Sequence, residues 1–403
     1  MNHSKQILLL LLTSFLLTGC WSKKELTDLA LVAAMGIDKT EDGKYDITLQ
    51  IINPSNVAGS FQGGGGSQSP PVTVYSAQGD NLVEASRRAS TKISRRLYYA
   101  HTNLVVIGER LAKEDGVDLL IDALDRDPEF RITSTFAIAS DSTAAALVKA
   151  LTPIDKIPAN KILKTLEFSQ RRWGGTVKAT IQDVMKGIHS PGKQTIVSGF
   201  RIVGNEEQAQ RLGNLEESAP KATLRATGVA VLKEGKLVDW LYGETARGTV
   251  WILDKVQGTD INIDWEGTKE AIAYQTVRQK TNVSSQLKSG KPHMTVRTRV
   301  EGEIGALNVP IDIKDPKVIR EIEEAIGKEI KKELTKSIEH AQSKKTDVFG
   351  FGEVVHRTSP KKWKKLEPEW SDAYFPELTV DVKVEAYVRR AGLRNKSFLS
   401  DAK

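Results

Sequence analysis

Cysteine is almost missing from this chain: Cys20 is the only one in 403 residues. One thiol excludes an internal disulfide and a thiolate metal cage. Histidine is sparse, and His3, His101, His189, His293, His340 and His356 lie far apart with no His-Glu-x-x-His pair among them. No Gly-x-Ser-x-Gly elbow is present, which weighs against the common esterase pattern. The Gly-Lys pairs at Gly192, Gly235, Gly290 and Gly327 lack the Ser or Thr that completes a phosphate-binding loop. Beyond the first twenty residues no apolar run is long enough to span a bilayer. A one-sided charge balance is missing too. Lys and Arg number 58 against 51 Asp and Glu, for a net +7, and the two signs are interspersed. That gives no strong polyanion footprint, and nucleic acid is not an expected partner. The remainder, 39% hydrophobic and 27% charged, fits ordinary globular folding at a length for two or three domains.

What is present starts at the N-terminus. Lys5, an apolar run from Ile7 to Leu17 and the ending Leu17-Thr18-Gly19-Cys20 describe an export signal. The run is too short to span a bilayer core and stop there. Its ending resembles the lipobox of bacterial lipoproteins. The resemblance implies cleavage between Gly19 and Cys20 and an S-diacylglyceryl group on Cys20, and leaves an acyl group on its amine open. Two chains anchor stably where one holds only marginally. Residues 1–19 then form the signal peptide, and the body is tethered to the extracytoplasmic face of a membrane. The alternative is a plain thiol following an ordinary signal.

The order of elements predicts an α+β, multidomain body of mixed sheets with packed helices. Residues 20–203 read as an N-terminal α/β domain, whole or as two subdomains. Its strands fall at Ala30–Ile37, Tyr45–Ile52, Asn103–Ile107 and Arg131–Ala139, with a hairpin turn at Asp42-Gly43. Asp80 is placed as the cap of a helix carrying Leu82, Ala85, Ala89, Ile93 and Leu97. Val117–Leu124 is a second helix, and Asp141 caps a third over Ser142–Ala150. Gly63 to Gly66 marks a flexible loop. Residues 204–221, rich in Glu, Gln, Gly and Asn, read as a linker or excursion.

Residues 222–395 read as a C-terminal α+β domain, with 396–403 a tail. It opens with a hairpin across Lys233-Glu234-Gly235, followed by a helix over Ala246–Val256 and strands at Ala271–Arg278 and Met294–Val300. Its clearest element is a helix over 316–342. Asp315 caps it, Pro316 sits in its first turn, and Ile319, Ile322, Ile326, Ile330, Leu334, Ile338 and Ala341 share a face. Glu324 and Lys328 are placed to pair on its wet side. Val380, Val382 and Val384 alternate in a closing strand.

Candidate chemistry is thin. His101 follows two tyrosines and reads as a polar or core-edge histidine before a ligand or base. Asp125 and Asp127 could share a cation, though Pro128 favours a helix-ending turn. Lys361-Lys362-Trp363-Lys364-Lys365 could meet anionic headgroups, or be a solvated surface around one packed Trp. No catalytic, cofactor or metal residue is assigned.

Several segments together resemble the Ger(x)C lipoproteins, the C subunits of nutrient germinant receptors in endospore-forming bacteria. They are Gly19-Cys20-Trp21, Gly36-Ile37-Asp38, Tyr98-Tyr99-Ala100-His101, Val106-Ile107-Gly108-Glu109 and Arg126-Asp127-Pro128-Glu129-Phe130-Arg131. The order continues with Gly228-Val229-Ala230-Val231, Trp240-Leu241, Arg247-Gly248 and Asp347-Val348-Phe349-Gly350-Phe351-Gly352. Trp363, Trp370, Phe375-Pro376-Glu377-Leu378 and Val380-Asp381-Val382 close it. The resemblance implies a lipid-anchored, non-catalytic subunit in the spore inner membrane, needed for nutrient-triggered germination. It also implies two integral-membrane partners, the A and B subunits, and Cys20 as the one residue with an assigned role. Two readings compete on the shared lipobox: a solute-binding lipoprotein of a transporter, and an anchored cell-wall hydrolase.

Overall fold

Leu29–Lys39 (β1) carries apolar residues almost without interruption, the pattern of a strand covered on both faces. In the computed structural model, which describes residues 26–58 and 70–390, both faces are buried. On one side β1 pairs antiparallel with β2 (Tyr45–Ile52), and β2 with β3 (Val72–Gly79). On the other it runs parallel to β5 (Leu104–Gly108), β5 to β6 (Thr135–Ala139), and β6 to β8 (Thr195–Gly204). Antiparallel β9 (Ala222–Lys233) and β10 (Lys236–Leu241) follow. Two short strands, β4 (Arg96–Tyr98) beside β1 and β7 (Ala179–Thr180) beside β6, complete the sheet.

Alternate side chains of this sheet enter two layers. Val32, Ile37, Val105, Ile107, Phe136 and Ile138 pack with the helices Leu82–Ser90, Glu109–Glu114, Asp118–Asp125 and Ile181–Ile188. Ala34, Leu104, Val106, Ala137 and Ala139 pack with Ala144–Lys149 and Pro158–Arg172.

The second sheet is β11 (Thr259–Trp265), β12 (Thr268–Lys288) and β13 (Lys291–Leu307), antiparallel, with β14 (Thr379–Arg390) returning parallel to β13. The connection to β14 contains the long helix Pro316–Ser343, whose Ile322, Ile326, Ile330, Leu334, Ile338 and Ala341 are buried. Asp315 caps it by accepting the Lys317 N–H at 2.8 Å. Three hairpins turn through Glu234-Gly235, Glu266-Gly267 and Ser289-Gly290, both residues of each having positive φ. That backbone matches the right-handed twist of the flanking strands.

Several expectations are corrected. The first helix is capped by Asn81, whose side chain accepts the Glu84 N–H, and it ends at Ser90, so Leu97 lies in β4. Asp141 is left-handed at φ 49, and Thr143 caps the helix, which spans Ala144–Lys149. The strand placed at Arg131 starts at Thr135, and the helix placed at Ala246 runs Gly243–Ile252. Glu324 and Lys328 form no ion pair. Instead Lys332 meets Glu329, and Lys336 crosses to Glu244. Segment 204–221 is an excursion holding two short helices between strands that pair with each other, so it does not separate two bodies. Residues 222–241 complete the first sheet, and β9 serves both halves. Its Ala230 and Leu232 enter the first core, and Val229 and Val231 enter the second. The signal, Gly19, Cys20, the glycine loop and the tail lie outside the described residues.

Candidate functional site

The sequence motifs become joints in three dimensions. Asp38, at the end of β1, accepts the N–H groups of Ala144 and Ala145 at 2.9 and 2.8 Å, holding the first turn of a helix 106 residues away. Burial pushes its carboxyl above the ordinary value, and the two N–H donors pull it back. A side chain at Gly36 would meet the Ala144 carbonyl at 2.9 Å, and one at Gly108 would meet Asp38 itself. The neighbouring Glu109 accepts the Asp141 N–H at 2.8 Å and the Trp240 indole at 3.0 Å. These motifs therefore hold helix, sheet and edge strand in place.

The second joint is ionic. Arg247 grips Glu333 of the long helix through Nε, at 3.1 and 2.9 Å, and through Nη2. Burial pushes the Glu333 carboxyl up, and Arg247 opposes it. The adjacent Gly248 lets two helices touch, since a Cβ there would lie 2.4 Å from the Glu333 carbonyl.

The third joint is the longest motif. Asp347 is fully buried, and its carboxylate accepts the N–H groups of Gly350, Phe351 and Gly352 at 2.9, 3.0 and 2.8 Å. It also accepts the Trp370 indole N–H at 2.9 Å. Burial pushes this carboxyl up to about 6 against those four donors. Gly350, at φ 75, makes the turn into the helix Phe351–Thr358. Trp363, Trp370, Phe375 and Phe351 pack around it, the two indoles edge-on at 5.2 Å. This knot is where the halves meet. Gln194 donates its backbone N–H to the Asp347 carbonyl at 2.9 Å, and Gly192 faces Gly352 so closely that a Cβ on either would clash. Beside it lies a cavity of 360 Å³ bounded by Asp183, Lys186, Lys193, Lys255, Val348 and Glu353. Lys255 lies exposed at its rim, and desolvation there holds that ammonium below the ordinary lysine value.

His101 is exposed, with its ring 5.6 Å from that of Tyr98. Asp127 accepts the Glu129 N–H at 2.8 Å in a helix-ending turn, and Asp125 is the last residue of the preceding helix. The lysine cluster lies on the helix Pro360–Leu366, with Trp363 and Leu366 buried and Lys361, Lys364 and Lys365 exposed. Among the described residues no His, Cys, Asp and Glu group could hold a metal, and no helix is long and apolar enough to cross a membrane. Sequence reasoning missed the roles of Asp38, Glu109, Arg247 and Asp347. The only signal was their place inside ordered motifs.

Comparison with known proteins matches both halves. Residues 22–202 match the family model described as spore germination protein N-terminal domain, and residues 227–392 match spore germination B3/GerAC like, C-terminal. The two matches divide at the β8–β9 excursion. Spore germination protein KC of Bacillus subtilis (strain 168) is 47% identical over 388 residues, covering 96% of this chain and 95% of the relative. Spore germination protein GerQC of Bacillus cereus is 24% identical, covering 94% of this chain and 98% of the relative. The crystal structure of the GerBC protein superposes with a TM-score of 0.56 at 18% identity, covering 88% of this chain and 96% of that one. At that identity the likeness speaks to the fold.

Proposed function

The chain belongs to the GerAC family of spore germination proteins, as the C subunit of a germinant receptor, and we propose that it works as a lipid-anchored, non-catalytic interaction subunit. The reading is carried by the way its motif side chains and their partners are spent. Asp38, Glu109, Glu333 and Asp347 are all saturated by N–H groups or paired cations inside the body. A carboxylate so engaged holds surfaces in register and is not poised to move a proton to a substrate. The partners in this proposal are the A and B integral-membrane subunits, in the spore inner membrane. A body without chemistry acts there by binding one conformational state of its partners more tightly than another.

Attachment would come from a diacylglyceryl group on Cys20, with cleavage after Gly19. Replacing Cys20 by Ala should move the chain from the membrane to the soluble fraction. Membrane retention of that variant would remove the anchor from the proposal. Deleting the gene should abolish germination to one or more nutrients and leave vegetative growth intact. Unchanged nutrient germination in a strain with no paralogue would overturn the receptor role. Crosslinking from surface sites on both halves would identify the faces that meet the A and B subunits. Family membership does not favour the solute-binding alternative.

A further inference from the structure

The described chain enters the first sheet at one end, through Leu26–Asp28 and β1. Strands β1, β5, β6 and β8 are parallel, so all four start at that end. β1 begins furthest out, with Leu29 opposite Arg96 of β4. Cys20 precedes Leu26 by six residues, a reach of about 20 Å at full extension. A lipid on Cys20 therefore keeps this end close to the bilayer.

Cations gather at the same end from distant parts of the chain. The stretch Arg87 to Arg96 holds Arg87, Arg88, Lys92, Arg95 and Arg96 and no acid. Arg95 and Arg96 lie at the Leu29 end of it. Arg131 lies four residues before β6. The helix Pro360–Leu366 joins from the other half. Its Trp363 packs on Gly192, three residues ahead of β8, while Lys361, Lys364 and Lys365 stay exposed. Arg96 is shared with Glu129 at 2.6 Å. Arg95, Arg131, Lys361, Lys364 and Lys365 are exposed, and none has a carboxylate within 4 Å among the described residues. Asp28, Asp127, Glu129, Glu367 and Glu369 are interspersed with them and offset them only in part.

Single exposed cations are ordinary. Convergence of two basic segments, more than 200 residues apart, on the end that a lipid would hold against a bilayer is a pattern with a partner. A membrane rich in anionic lipid presents a flat negative potential, felt within a Debye length of about 8–10 Å. We infer that the tethered end of the first sheet, through Arg95, Arg96, Arg131, Lys361, Lys364 and Lys365, seats on anionic lipid headgroups. The lipid then sets the body's distance from the membrane, and this surface sets its orientation. The geometry rests on the anchor at Cys20 proposed above.

The test uses the mature chain with Cys20→Ser, which carries no lipid, so that headgroup attraction is read alone. Co-sedimentation is measured with vesicles of phosphatidylcholine, and with an equal mixture of phosphatidylcholine and phosphatidylglycerol. Binding should appear only with the mixture and fall as salt rises. The triple variants R95Q/R96Q/R131Q and K361Q/K364Q/K365Q, with circular dichroism unchanged, should each weaken it at least tenfold, from roughly fivefold per cation lost. The pair K328Q/K331Q on the long helix should bind as wild type. Equal binding to both vesicles, or equal loss in the K328Q/K331Q control, overturns the inference. Either failure leaves the receptor role standing, because the deletion strain tests that separately.

Discussion

Asp347 shows what one residue can hold. Its two oxygens serve four donors, so Asp347→Asn leaves an amide N–H facing the Gly352 N–H and the Trp370 indole. Two buried donors lose their acceptor, and the variant should lose about 2–4 kcal/mol at neutral pH by urea denaturation. The pH dependence has a definite sign. A carboxyl raised to about 6 in the fold binds its proton more tightly there than in the unfolded chain. Its contribution is fully present below pH ~4 and is lost as pH rises through about 6. The stability gap between wild type and D347N should therefore narrow from pH 4 to 7. A widening gap would mean that the four N–H donors outweigh burial. At Arg247 the physics is simpler. Arg247→Ala strands Glu333, which is 2% exposed, and should cost about 3–5 kcal/mol. The apolar pair R247M/E333L should recover most of that loss, since burying two charges is itself costly. A double variant no more stable than the single one would contradict this account.

Among elements, the crossing of helix Gly243–Ile252 with the long helix is the contact that a small change should open. A methyl at Gly248 would meet Ser337 Oγ and the Glu333 carbonyl. Backbone cannot step aside as a flexible side-chain tip does. Gly248→Ala should therefore destabilise by roughly 1–3 kcal/mol, read as a lower urea midpoint with unchanged slope. The long helix itself was legible from sequence because its signals are local. Asp315 and Pro316 mark its start, and the isoleucines recur at helical spacing on the face that is buried. Caps were less legible. Asp80 and Asp141 are good capping residues, but Asn81 and Thr143 hold those places, since the sheet fixes where each helix can begin.

The whole molecule is tied together by β9. A fragment ending at Val203 would leave β8 without its antiparallel neighbour and strip Ala230, Leu232 and Leu237 from the first core. It should unfold without a cooperative transition. A fragment ending at Leu241 keeps the complete sheet and should melt cooperatively, at lower stability because Val229 and Val231 lose their cover. A cooperative urea transition of equal midpoint in both would show that the halves are independent. Sequence placed the boundary at 204–221 because that segment is polar and glycine-bearing. Composition marks an exposed excursion, but it does not record which strands pair across it.

The sequence alone determined the α+β character, most strands, the long helix and the family. All of these rest on local order: periodicity, caps, turn pairs and motif succession. Only the tertiary structure decided what the motifs are for. Asp38 meets Ala144 across 106 residues, and Gly192 meets Trp363 across the seam between halves. Only the tertiary structure also brought the two basic segments to the end of the first sheet where β1 begins. Partners so far apart are chosen by sheet order and packing, and no local periodicity encodes that choice.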